Sequence, residues 1–213
     1  NRLQILQKNK KVWSAQYVDD PQEGVAEFEQ NWKRFYYKLG SDRVSTFPGD
    51  VTLATSYHVR DLDRVMIIDP ATSGHSGIIV TGSDEKLRVF CLDAIKGHFN
   101  PSELVNKIFE LVLRWRPRIV AIEEVVFSAV YKPWIEREMQ LRNLRFHIVP
   151  VKPKKVGRQD NSKDGRIKVL TNYFSSGQIL FHESQVDLIE EYDSFGASDD
   201  IHILAALAYG PDL

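Results

Sequence analysis

The chain has 213 residues, 43% of them hydrophobic and 27% charged, with a formal net charge of -1. That is enough for one well-buried α/β domain plus an appendage, and any nucleic-acid contact must come from a local patch, because the chain as a whole is not basic. The single cysteine, Cys91, excludes an intrachain disulfide framework and fits a reducing compartment, and no apolar run approaches the ~18 residues that a membrane-spanning helix needs.

The opening Asn1-Arg2-Leu3-Gln4 is neither a secretory signal nor an initiator methionine, so a piece of a longer protein is expected. Residues 25–39 are rich in aromatics (Phe28, Trp32, Phe35, Tyr36, Tyr37) with room for one short helix, and residues 40–57 have no clear period. Residues 1–60 therefore read as a linker or docking strap. From Arg64 the pattern sharpens. Val65-Met66-Ile67-Ile68 is a buried strand ending in Asp69-Pro70. Ile78-Ile79-Val80-Thr81 and Leu87-Arg88-Val89-Phe90-Cys91-Leu92 flank Gly82-Ser83-Asp84-Glu85 as a hairpin.

A helix follows, with Asn100 as its cap, Pro101 at the first helical position and Glu103 completing a capping box. Leu104, Ile108, Leu111 and Trp115 repeat at helical spacing until Pro117. Ile119-Val120-Ala121-Ile122 is a strand ending at Glu123-Glu124. A polar helix over residues 135–144 leads to the strand Phe146-His147-Ile148-Val149. Residues 163–175 read as a helix with Ile167, Leu170 and Phe174 on one face and Gly177 as its stop. Residues 178–181 form a short strand, and a last helix is predicted to begin near Ser198, with Ile201, Leu204 and Ala208 facing inward. The order βββ-α-β-α-β-α predicts an α/β domain over residues 61–213. Its mixed sheet has three antiparallel strands, then parallel additions, with helices on both faces, as in RNase H-like domains.

Three acidic sites fall at element ends that such a sheet brings together: Asp69, Glu123 with Glu124 beside it, and the pair Asp199-Asp200. Hydrolysis of an anionic phosphodiester needs such a cluster, because two divalent cations ~3.5–4 Å apart activate water and stabilise the leaving oxygen. Hard cations prefer carboxylate oxygen. Each acid taken alone also suits a turn, a surface ion pair or a helix start favoured by the helix dipole. Strand alternation puts Glu123 and Glu124 on opposite faces without choosing between them, and Asp199 and Asp200 point roughly 100° apart on a helix. Further along, residues 151–168 hold Lys152, Lys154, Lys155, Arg158, Lys163, Arg166 and Lys168 against Asp160 and Asp164. That loop is suited to neutralising DNA phosphates without reading sequence. Arg114, Arg116 and Arg118 form a weaker basic cluster, and Tyr131 and Trp134, near Lys132, are suited to packing one face of a helix or, alternatively, to stacking on bases or a partner.

The motifs together resemble those of phage large terminase subunits in their C-terminal nuclease domain. Ile68-Asp69-Pro70-Ala71 resembles the first nuclease motif, and Ala121-Ile122-Glu123-Glu124-Val125-Val126-Phe127 the second. Lys163-Asp164-Gly165-Arg166-Ile167 resembles the Lys-x-x-Arg helix start, and Gly177-Gln178-Ile179-Leu180-Phe181 the short strand after it. Ser198-Asp199-Asp200 with Ala205-Ala206-Leu207-Ala208-Tyr209 resembles the closing motif. Val12-Trp13-Ser14-Ala15-Gln16-Tyr17 with Asp20-Pro21 is similar to the strap that follows an ATPase domain, which is absent here because no G-x-x-x-x-G-K-[ST] pattern occurs. Two departures stand out: His75 where many relatives carry a second aspartate, and Ile203-Leu204 where many carry Asp-Ala.

The resemblance implies an endonuclease that uses two divalent cations, Mg²⁺ or Mn²⁺, to cut double-stranded viral DNA during genome packaging. Asp69, Glu123 and Asp200 would be its catalytic ligands, with Asp199 as a further metal ligand and Glu124, His75 and Lys163 in support. Lys152, Lys154, Lys155, Arg158 and Arg166 would meet DNA with little sequence preference. The same resemblance implies an ATPase domain in the full-length protein, a portal ring and a small terminase subunit as partners, and the cytoplasm of an infected bacterial host. The alternatives are another RNase H-like nuclease of resolvase or integrase type, and a non-catalytic module that clamps DNA or docks on a portal.

Overall fold

The computed structural model describes residues 27–46, 56–71, 74–124, 127–152 and 163–213. Its centre is a six-stranded mixed sheet. The antiparallel strands are β4 (Asp63–Asp69), β5 (Ser76–Ser83) and β6 (Val89–Gly97); β7 (Ile119–Glu123), β8 (Ile148–Val151) and β9 (Ile179–Leu180) add in parallel. The spatial order is β8-β7-β4-β5-β6-β9. A smaller antiparallel sheet, β1 (Tyr37–Leu39), β2 (Arg43–Ser45) and β3 (Ser56–His58), precedes it.

Strand alternation sorts the apolar residues into two layers. Met66 and Ile68 of β4 and Val120 and Ile122 of β7 face the helices α1 (Pro101–Trp115) and α2 (Lys132–Leu141). Val65 and Ile67 of β4 and Ile119 and Ala121 of β7 face the opposite layer. That layer contains α3 (Lys163–Ile167), α4 (Thr171–Ser175), α5 (Val186–Ser194) and α6 (His202–Leu207). By the same parity Asp69 and Glu123 lie on the α6 face.

The capping box is present as the sequence predicts: Glu103 N–H donates to Asn100 Oδ1 at 3.0 Å and Asn100 N–H to Glu103 Oε2 at 2.8 Å. Elsewhere the elements differ from expectation. The helix predicted over residues 163–175 is interrupted by a 3₁₀ turn, Lys168–Leu170. The strand predicted over residues 146–149 lies two residues later, at Ile148–Val151. The helix α5 was not predicted, because its buried Leu188 and Tyr192 stand among acidic residues. The last helix begins at His202, not near Ser198, so Asp199 and Asp200 precede it in non-helical backbone.

The described residues of the amino-terminal region are packed into this body. The one short helix expected there is a single 3₁₀ turn, Gln30–Trp32. Phe28 is 1% exposed and packs its ring against Phe174, Tyr192 and Phe195 at centroid distances of 4.9, 5.1 and 4.6 Å. Burying one such ring is worth about 1.5–3 kcal/mol. Tyr36 donates its hydroxyl to the Cys91 carbonyl at 2.8 Å, which ties this segment to the middle of β6. None of the helices among the described residues is long and apolar enough to cross a membrane.

Candidate active site

The register of the sheet draws one row of residues across its edge. Ile68 pairs with Ile122, so Asp69 stands beside Glu123 at the carboxyl ends of parallel β4 and β7. Asp69 pairs with Gly77 on β5, and Gly77 with Lys96 on β6. The row therefore reads Glu123, Asp69, Gly77, Lys96, all on the α6 face. At Gly77 the missing side chain is required by a close approach. A Cβ there would lie 2.1 Å from the carbonyl oxygen of His202, so the start of α6 drops into the gap between the acids and the lysine.

Asp69 is buried and Glu123 half-buried, and the two carboxyl groups are in hydrogen-bond contact. Burial, then the charge of Asp69, raises the pKa of Glu123; the nearby Arg166 and Lys163 oppose the rise. Two carboxylates held in contact must share a proton or a cation. Their hard oxygen donors on rigid strand ends fit a divalent ion. Glu124, of opposite parity, instead pairs with Lys152 at 3.2 Å. The choice between the two glutamates that alternation alone left open is thus decided by register: Glu123 meets Asp69.

From α3, Lys163 places its ammonium 3.3 Å from Asp69 Oδ2 and 3.1 Å from His202 Nδ1. Arg166, one turn later, donates to the Tyr209 hydroxyl and lies 5.4 Å from the centre of that ring. It is half-buried and committed to a protein partner. Beyond His202 lies Asp200, whose Oδ1 is 3.4 Å from His202 Nε2 and 3.7 Å from His75 Nδ1, and whose Oδ2 is 3.0 Å from Lys96 Nζ. Lys96 first, by its hydrogen bond, and then the two histidines hold Asp200 below the usual carboxylate range. Desolvation, then Lys163, lowers the pKa of His202. Asp200 therefore reaches the acid pair only through His202 and Lys163. Asp199 is exposed.

The start of α6 is fixed by a residue that no motif singles out. The Glu191 carboxylate, 1% exposed on α5, accepts from the backbone N–H groups of His202, Ile203 and Leu204 at 3.0, 2.8 and 2.9 Å. It satisfies three of the donors that every helix start leaves free. Burial pushes its pKa up to about 7, against the pull of those N–H groups and of Lys96. Lys96, Glu191 and His202 have no place in the motifs read from the sequence, and Tyr209 stands there only as the end of the closing motif. Next to His75, the Ser76 hydroxyl accepts from the Ala71 N–H at 2.9 Å.

Of the basic segment, Lys154, Lys155 and Arg158 lie outside the described residues, while Lys152 is at the end of β8 beside Glu124. In the weaker basic cluster, Arg114 pairs with Asp93 at 3.2 Å and Arg118 with Asp63 at 2.8 Å. Tyr131 is buried, whereas Trp134 is 49% exposed.

No family model and no curated protein matches the sequence. Solved structures do match the fold. The P22 large terminase nuclease domain aligns over 88% of this chain and 91% of its own, with a TM-score of 0.53 and 12% identity. The large terminase of a thermophilic bacteriophage, in complex with ATP-γ-S, aligns over 70% of this chain with a TM-score of 0.51 and 10% identity. This chain spans 39% of the length of that protein. The chain has the RNase H-like fold of these terminase nuclease domains.

Proposed function

We propose that the protein is a divalent-metal-dependent endonuclease that cleaves double-stranded viral DNA during genome packaging, the nuclease part of a large terminase subunit. The observation that carries this reading is the contact between Asp69 and Glu123 at the ends of adjacent parallel strands, in a fold shared with the P22 large terminase nuclease domain. Two like charges held together in buried or half-buried positions are costly in a purely structural role.

Asp69 and Glu123 would supply oxygen ligands to one ion, and Asp200, with Asp199 beside it in sequence, would supply them at a second position beyond Lys163 and His202. When bound, Mg²⁺ or Mn²⁺ would lower the pKa of an attacking water and stabilise the departing oxygen of an in-line displacement. Lys163 pairs with Asp69 Oδ2 at 3.3 Å, and its charge with that of Arg166 offsets the negative field that an incoming phosphate would meet. Lys152, Lys154, Lys155 and Arg158 bind backbone phosphates, which gives affinity without sequence preference. On this reading the full-length protein carries an ATPase domain, works with a portal ring and a small terminase subunit, and acts in the cytoplasm of an infected bacterial host.

The test is digestion of supercoiled plasmid in chelator, in Mg²⁺ and in Mn²⁺. Nicking and linearisation that require the metal are expected. Equal cutting in chelator, or DNA binding with no cutting under any condition, would sink the nuclease reading.

A further inference from the structure

The acids of the site do not form one cluster. Lys163 stands as a cation between Asp69 and His202, and on its far side lie two imidazoles and one carboxylate. We propose that His75, Asp200 and His202 form a separate, nitrogen-bearing metal site that takes a borderline transition-metal ion such as Co²⁺ or Zn²⁺ in preference to Mg²⁺. The use of this ion in cleavage rests on the nuclease reading; its binding does not.

The donor atoms of the three residues all lie within 4.8 Å of one another. Asp200 Oδ1 is 3.4 Å from His202 Nε2 and 3.7 Å from His75 Nδ1. Ligands about 2.0–2.1 Å from one ion are separated by about 2.9 Å at a right angle and about 3.4 Å in a tetrahedron. Closure on an ion therefore asks for shifts of a few tenths of an ångström at the two Asp200 edges, and for the two imidazole nitrogens, which lie within 4.8 Å of each other, to draw together. Two histidines and one carboxylate on a single face match the donor set of open transition-metal sites. Mg²⁺ prefers an all-oxygen octahedron and gives up water reluctantly.

The surroundings organise the donors. Lys96 engages Asp200 Oδ2 at 3.0 Å and leaves Oδ1 toward the imidazoles, the kind of outer contact that orients a ligating carboxylate. The backbone of His202 is fixed by the Glu191 carboxylate and by the gap at Gly77. The side chains of His75 and Asp200, 36% and 51% exposed, leave an approach from solvent. One rearrangement is needed. An ammonium only donates, so Lys163 at His202 Nδ1 puts the ring proton on Nε2. An ion at Nε2 moves that proton to Nδ1 and sends Lys163 wholly to Asp69, whose Oδ2 is already 3.3 Å away. Filling the histidine site thus changes the charge beside the acid pair.

The experiment titrates the metal-free protein with Co²⁺ and follows its visible d–d absorption, then repeats the titration with a large excess of Mg²⁺. His75→Gln, His202→Gln and Asp69→Asn are compared after a thermal melt confirms that each is folded. Binding that Mg²⁺ does not displace is expected, weakened about tenfold or more by either histidine change and retained in Asp69→Asn. In the unmutated protein, Zn²⁺ should shift the ring ¹⁵N resonances of His75 and His202; this carries the test if His202→Gln does not fold. Displacement by Mg²⁺, unchanged affinity in His75→Gln, or ring resonances that ignore Zn²⁺ would overturn the site. Plasmid cutting by the same samples separates the two readings. Imidazole-bound metal without cutting leaves the site and removes the nuclease. Cutting without imidazole-bound metal does the reverse.

Discussion

On one side of Gly77 the site is two carboxylates at the ends of β4 and β7; on the other it is Asp200 surrounded by Lys96, His75 and His202. The two halves solve opposite electrostatic problems. Asp69 and Glu123 come from adjacent central strands, are buried or half-buried, and press like charges together; burial and then the charge of Asp69 raise the proton affinity of Glu123. Asp200 lies in non-helical backbone, is half exposed, and is held low by cations and imidazoles. The first half gathers negative charge that its neighbours only partly offset; the second already carries its compensation. Rigid strand ends suit a role that needs positioned charge, whereas the far half owes its position to a borrowed cap and a glycine gap.

The largest expected effect lies in the first half. Asp69→Ala should lower plasmid cleavage by at least ~10³-fold with the domain still folded, since the charge stabilisation attributed to such ions is worth several kcal/mol. Undiminished cutting by a folded Asp69→Ala protein would move the chemistry across Gly77 to the Asp200 half.

Next in size is DNA affinity. Lys152 closes β8 beside Glu124, which puts the start of the basic segment on the acid-pair side. Each phosphate contact contributes about -0.9 to the log–log salt slope. Neutralising Lys152, Lys154, Lys155 and Arg158 together should flatten the slope by up to about 3 to 4 units. A slope that ignores the change would place DNA on the other side.

Gly77→Ala probes the divide itself. Its new methyl would meet the His202 carbonyl at 2.1 Å, and that neighbour is backbone. A loss of about 1–3 kcal/mol or more is expected from such overpacking, read from denaturant unfolding. An unperturbed melt would mean that α6 is not seated against β5 as described.

The smallest effects carry opposite signs. In chelator at neutral pH, Glu123→Gln should stabilise, because its folded-state pKa is raised and the charged form is the disfavoured one. Asp200→Asn should destabilise by a few tenths of a kcal/mol, a figure kept small because solvent screens this exposed group. The pH dependence follows. Glu123 and Glu191 hold protons more tightly folded than unfolded. Their contribution to stability is therefore largest below the unfolded value of about 4.3 and declines as pH rises. For Glu191 the decline continues to about 7. Asp200 runs the other way: its contribution is present above its unfolded pKa and is lost as pH falls. Melting temperatures in chelator between pH 5 and 8 should fall less in Glu123→Gln than in the unmutated chain. Parallel curves would show that the acid pair carries no excess charge cost.

The features legible in the chain alone were local ones. The capping box of α1 follows from Asn100, Pro101 and Glu103 within one turn, and the strands of the sheet follow from compact apolar runs such as Val65 to Ile68. The acids Asp69 and Glu123 were legible because each ends such a run. Nothing local could choose Glu123 over Glu124, since that choice is made by the parallel register of β7 against β4. The acidic face of α5 hid its helix, and with it Glu191. His202 and Lys96 acquire their places only when Gly77 lets α6 settle between β4 and β6. Helical hydrogen bonds, caps and side-chain periodicity act within a few residues, so a sequence displays them. The meeting of Lys96 with Asp200, 104 residues apart, is a product of sheet register and helix packing, which no short stretch of sequence contains.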